Sequence, residues 1–112
     1  MCTKSQLNTI TSAVAQEAKN LLGDKLETVI LYGSYSRGDY DDESDIDIMV
    51  RINCPIESLE DYSHSFNLIS SRLSLENDIT VSITLRDSET FNRFKNVLPF
   101  YSNIEKEGVR IA

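Results

Sequence analysis

Two aspartates stand two residues apart in an otherwise apolar run, Asp45 and Asp47 in DIDIMVRI. In an extended chain residues i and i+2 share a face, so both carboxylates point one way while Ile46 and Ile48 point the other way, into a core. Like charges held this close repel each other, and the pair is costly unless a cation neutralises it. Ligands that are all oxygen favour a hard ion such as Mg²⁺. Taken alone, the D-x-D pattern is more often a pair of solvated acids on an open sheet face. What lies upstream changes that reading. Gly33-Ser34 ends an apolar run, Gly33 lets backbone approach a ligand closely, and Ser34 offers its N–H and its hydroxyl to phosphate oxygens. Three residues on, Arg37 supplies a forked cation suited to the same anion.

These residues need a scaffold, and the periodicity supplies one. Lys4 to Leu22 carries Leu7, Ile10, Ala13, Val14, Ala18, Leu21 and Leu22 at helical spacing, with Gly23 as the stop. Leu26 to Tyr32 is short, β-branched and apolar, a strand that ends at Gly33-Ser34. Ser34 to Ser44 is small and polar and predicts a turn, with room for a short helical segment, followed by an acidic loop. Asp45 to Ile52 reads as the second strand, Ile56 to Leu75 as a helix after Pro55, and Asp78 to Leu85 as a third strand with Ile79, Val81, Ile83 and Leu85 on one face. Helical spacing resumes from Ser88 through Phe94, is interrupted near Pro99, allows a further turn at Phe100 to Glu107, and gives way to Gly108 and a short apolar VRI. Strands alternating with helices predict an α/β fold, a small mixed β-sheet with helices packed on it, in a single domain over residues 1–112.

The run from Gly33 through Asp47 resembles the signature of the minimal nucleotidyltransferases (MNT) of the polymerase-beta superfamily. In that family Gly-Ser is followed by ten residues and then Asp-x-Asp, and here the ten are Tyr35 to Ser44. Arg37-Gly38 and Ser44 also fall where members commonly carry them, and the order of elements follows the family's fold over about the first 85 residues. The resemblance implies a polymerase-beta-like nucleotidyltransferase fold in which Asp45, Asp47 and a third carboxylate hold two Mg²⁺ ions. Gly33, Ser34, Arg37 and Ser44 would hold the triphosphate of ATP. The expected third carboxylate is Asp78, at the start of the third strand, with Glu76 and Asp87 as nearby alternatives. The implied reaction is attack of an acceptor hydroxyl on the α-phosphorus with loss of pyrophosphate.

Composition narrows the setting. Of the 18 acids, six lie between Asp39 and Asp47, leaving twelve against 11 bases, so the net charge of −7 is concentrated at one place. An acidic domain opposes direct binding of a nucleic-acid backbone. No apolar run is long enough to span a bilayer, no secretory leader is apparent, and a cytoplasmic protein is expected. Cys2 and Cys54 read as unpaired thiols, and His64, the only histidine, as a solvent-facing helix residue. For acceptor and partner the resemblance offers more than the residues do. Members of the MNT family that stand alone commonly act as antitoxins beside a HEPN-type toxin, an RNase whose tyrosine they modify with AMP. Two other readings compete: a catalytically silent module that neutralises a partner by binding it, and an enzyme that adenylylates an antibiotic or other small molecule.

Overall fold

The computed structural model describes residues 3–41 and 43–112. Cys2, and Asp42 of the acidic loop, lie outside the described residues. Helix α1 (Lys4–Leu22) starts where the Thr3 side chain accepts a hydrogen bond from the Gln6 N–H. It stops at Gly23, whose φ of 54° takes the chain out of the helix while its N–H donates to the Lys19 carbonyl. The four strands β1 (Leu26–Tyr32), β2 (Ile46–Ile52), β3 (Val81–Asp87) and β4 (Val109–Arg110) form one mixed sheet in the order β3-β2-β1-β4. β2 runs antiparallel to β1 and parallel to β3, and helix α3 (Glu60–Asn77) makes the crossover that a parallel pair requires.

The alternation read from β2 sorts its side chains as expected. Ile46, Ile48, Val50 and Ile52 join Val29 and Leu31 of β1 and Val81 of β3 beneath α1 and α3, which contribute Ile10, Val14, Ala18, Phe66, Ile69 and Leu73. The second face is covered only in part. Phe91 of α4 (Ser88–Phe94) and Ile104 of α5 (Pro99–Glu107) bury Ile30 and Met49, and Phe91 also lies beneath the Arg51 guanidinium at 4.4 Å. Toward the other end of that face Asp47, Ser82 and Thr84 remain half-buried.

Three boundaries differ from expectation, each for a local reason. The segment after Pro55 opens with a single 3₁₀ turn, Ile56–Ser58, before α3 proper, and the helix runs on to Asn77. The third strand then begins at Val81. Asp78 caps the end of α3 in the left-handed region (φ 51°), its N–H donating to the Ser74 carbonyl. Ser74 and Ser70 also take the backbone of Val81, the Ser74 hydroxyl accepting from its N–H at 2.9 Å and the Ser70 hydroxyl donating to its carbonyl. The alternation was therefore in phase but started three residues late. Finally, the VRI segment pairs with β1: Val109 and Arg110 form β4, and Ile111 donates to Val29 at 2.7 Å. His64 is exposed on α3, and Cys54 is an unpaired thiol. Among the described residues no helix is long and apolar enough to cross a membrane.

Candidate active site

β1 leads straight into the turn, and the turn is built on Gly33. Its backbone (φ 75°, ψ −156°) lies in a region that only glycine enters readily. Its carbonyl accepts from the Ser36 N–H, the Ser36 hydroxyl and the Arg37 N–H, which closes a single helical turn, α2 (Ser34–Arg37). Tyr35, buried, fixes this turn to the main core and stacks on Tyr40 with ring centroids 4.3 Å apart. Gly38 (φ 83°) ends it, donating to the Ser34 carbonyl.

The turn and the acidic strand meet at one point. Tyr32, the residue before Gly33, pairs directly with Asp47 in the β1–β2 ladder. A β-carbon added to Gly33 would lie 2.5 Å from Asp47 Oδ2, so the bend and the carboxylate are in direct apposition. Asp45 sits just ahead of β2 and is exposed, whereas Asp47 is half-buried. Burial, reinforced by the charge of Asp45 and opposed by Arg37, raises the Asp47 carboxyl above its ordinary value. A carboxylate pair strained in this way is what a hard cation would relieve, and its oxygens are the donors such an ion prefers. The two side chains are donors of the type a hard divalent ion would take.

The other expected site residues are placed less simply. Arg37 is exposed and paired with Asp39 at 3.1 Å and with Glu107 of α5 at 3.5 Å. Ser44 organises the acidic loop, its hydroxyl accepting from the Asp41 N–H at 3.0 Å and facing Asp41 Oδ1 at 3.3 Å. Asp78 is not brought to Asp45 and Asp47. It is exposed at the end of α3, and among the described residues no group of three His, Cys, Asp or Glu is placed to hold a metal ion. The helix outlasts its apolar pattern, which stops at Leu75, so the chain is still turning at Asp78, where the alternation predicts a strand. Its two alternatives fare no better. Glu76 pairs with Arg72 at 3.6 Å on the surface of α3, and Asp87 pairs with Ile52 at the far end of β3 and caps α4 through the Thr90 N–H.

Several residues on the site's flank carried no local sequence signal. On β3 the partner of Asp47 is Ser82, and the next residue on that face, Thr84, shares a hydrogen bond of 3.2 Å with the Tyr32 hydroxyl. Burial raises the Tyr32 phenol above its ordinary value; the Thr84 hydrogen bond opposes this and the Asp47 charge adds to it. α5 brings Phe100 edge-on to Tyr32 at 5.9 Å. Together with Asn103, Ile104 and Glu107 it closes a cleft of about 220 Å³ against Tyr32, Gly33 and Arg37. These contacts span some seventy residues of chain, and only folding reveals them.

The sequence profile described as "Nucleotidyltransferase domain" matches residues 12–111. Two provisionally named protein adenylyltransferases of Methanocaldococcus jannaschii are similar. One is 42% identical over 67 residues, covering 60% of this chain and 66% of the relative, just under two thirds; the other is 31% identical over 84 residues, covering 75% and 76%. Among solved structures, a nucleotidyltransferase from Sulfolobus solfataricus, also provisionally named, superposes with a TM-score of 0.56 at 25% identity over 95% of this chain and 78% of that one. A toxin–antitoxin complex crystallised with AMP-PNP shares the fold, with a TM-score of 0.58 at 19% identity over 91% of this chain and 72% of that one. A profile matched over nearly the whole chain, carried on a Gly-Ser bend that abuts a D-x-D strand, means that this chain belongs to the nucleotidyltransferase domain family.

Proposed function

We propose that the chain transfers AMP from ATP to a hydroxyl of a partner protein, a tyrosine of a HEPN-type toxin, and thereby acts as an antitoxin. The observation that carries the reading is the apposition of Gly33 to Asp47, which sets the Gly-Ser bend directly against the carboxylate pair. Two relatives bearing protein adenylyltransferase names and a fold shared with a toxin–antitoxin complex support the choice of a protein acceptor. Asp45 and Asp47 would hold Mg²⁺, which offsets charge on the triphosphate and draws electron density from the reacting phosphorus.

The chain's own groups do the positioning. Gly33, without a side chain, lets the bend lie directly against Asp47, the Ser34 N–H and hydroxyl would meet the anion from the first turn of α2, and Arg37 would exchange Asp39 and Glu107 for phosphate oxygens. Both of its ion pairs are solvent-exposed, and such pairs contribute little, so the exchange is cheap. The cleft beneath α5 offers the nucleoside a wall of Tyr32 and Phe100. The acceptor oxygen then forms a bond to the α-phosphorus, the bond to the bridging oxygen breaks, pyrophosphate leaves, and the hydroxyl proton passes to water.

The test is incubation with Mg²⁺ and each labelled triphosphate, with and without the product of the adjacent reading frame, followed by mass analysis of both proteins. The expected outcome is one AMP adduct on the partner, formed from ATP. Intact triphosphate and no adduct on either protein would sink the proposal. A second reading, a silent module that masks the partner, draws on the hydroxyl that stands beside Asp47 on β3; it requires that carboxylate variants still bind and neutralise the partner. Asp78 gives a further check on the site's limits. Asp78→Gly should leave AMP transfer unchanged and raise the unfolding free energy by up to about 1 kcal/mol in urea titrations, because glycine adopts the left-handed cap without a β-carbon penalty.

A further inference from the structure

The parallel register of β2 and β3 fixes what stands next to Asp47. Ile46 pairs with Val81, Asp47 with Ser82, and Met49 with Thr84, so β3 presents Ser82, Thr84 and Arg86 in turn to the face that carries the carboxylates. We propose that the site takes a single divalent ion, on Asp45 and Asp47 with the triphosphate, and that Ser82 leaves the position across from it unable to hold a second. This rests on the nucleotidyltransferase reading above and concerns the ion count within it.

The argument is one of charge and donor strength. With Asp45 and Asp47 engaged by the first ion, a second would need a further protein ligand from β3 beside Asp47. A neutral hydroxyl is a weak ligand for a hard cation, and sites of this kind depend on carboxylates. The Ser82 hydroxyl is the side-chain donor that β3 sets beside Asp47, and the Thr84 hydroxyl is engaged with Tyr32 at 3.2 Å. Arg86 adds a fixed positive charge farther along the same face. Its guanidinium donates to the Tyr101 hydroxyl at 3.3 Å and lies 5.9 Å from the centre of the Phe100 ring. A second cation would meet that charge with no further carboxylate on that face of β3 to balance it. The other three acids weighed for the role are held elsewhere, at the α3 cap, on the α3 surface and at the α4 cap.

The experiment counts Mn²⁺ on the full chain saturated with a non-hydrolysable ATP analogue, using electron paramagnetic resonance. One bound ion per chain with an uncoupled spectrum is expected for the wild type. Ser82→Asp, with Ser82→Glu as the second variant should the first fail to fold, should take up a second ion at least about tenfold more tightly and show the spectrum of a coupled Mn²⁺ pair. A coupled pair already present in the wild type would overturn the inference while leaving the nucleotidyltransferase reading intact. So would a folded Ser82→Asp or Ser82→Glu chain that still holds a single ion. Absence of any Mn²⁺ on the wild type with analogue present would instead overturn the nucleotide site itself, and the inference with it.

Discussion

Asp47→Asn is expected to reduce AMP transfer by about 10³-fold or more while making the domain harder to unfold at neutral pH. The two effects have one origin. Burial of the Asp47 carboxyl, with Asp45 beside it and only partial relief from Arg37, raises its pKa in the folded chain above the value it has when unfolded. The folded state therefore binds this proton more tightly than the unfolded state does, and ionisation costs stability. That cost is absent where both states are protonated, appears as pH rises above the unfolded value, and is complete above the folded one. Above the folded value the wild type bears all of it and the amide variant none. Urea midpoints measured across pH should show the variant's advantage largest at neutrality and shrinking as the solution is acidified through the carboxylate range. Mg²⁺ with a triphosphate analogue should restore the wild type's stability and leave the variant's unchanged. Asp45→Asn should share the loss of transfer but gain less stability, since Asp45 is exposed. Transfer that survived in both variants would remove the carboxylate pair from the mechanism.

The same tension between site and scaffold explains which features were legible in the sequence. The placement of Asp45, Asp47 and the Gly33-Ser34 bend was legible because each rests on a local rule, side-chain alternation in one case and a glycine at a strand end in the other. Helix α1 was equally plain, since its cap at Thr3, its apolar stripe and its stop at Gly23 all lie within one stretch. The environment of Asp78 was not legible by such rules. Its expected position depended on where α3 ends, and that is decided by Ser70 and Ser74 reaching across to the backbone of Val81, a contact with no periodic signature. Arg37 illustrates a second kind of blindness. Its position was read correctly as near the bend, but its ion pair with Glu107 joins residues seventy apart and depends on α5 folding back over β1. β4 is the same case: two residues become a strand only because β1 offers them an open edge.

Gly33→Ala should be the most damaging small substitution in the chain outside the core, and comparison with Gly38→Ala separates the reasons. Both glycines have positive φ, 75° and 83°, so in either case alanine incurs backbone strain, on the order of 1–2 kcal/mol. At Gly38 nothing lies within 4 Å of the added carbon, and strain is the whole effect: urea unfolding should report that loss, with transfer largely retained. At Gly33 the added methyl would lie 2.5 Å from Asp47 Oδ2, so either the bend opens or the carboxylate turns away. Either movement separates the phosphate seat from the ion's ligand, and misplacement on the scale of 1 Å costs about 10²-fold in rate. The signature to look for is a fall in kcat that exceeds what the lost stability explains, together with weakened Mn²⁺ binding in Gly33→Ala and normal Mn²⁺ binding in Gly38→Ala. Equal behaviour of the two variants would mean that the bend serves only to turn the chain, and that its closeness to Asp47 has no part in catalysis.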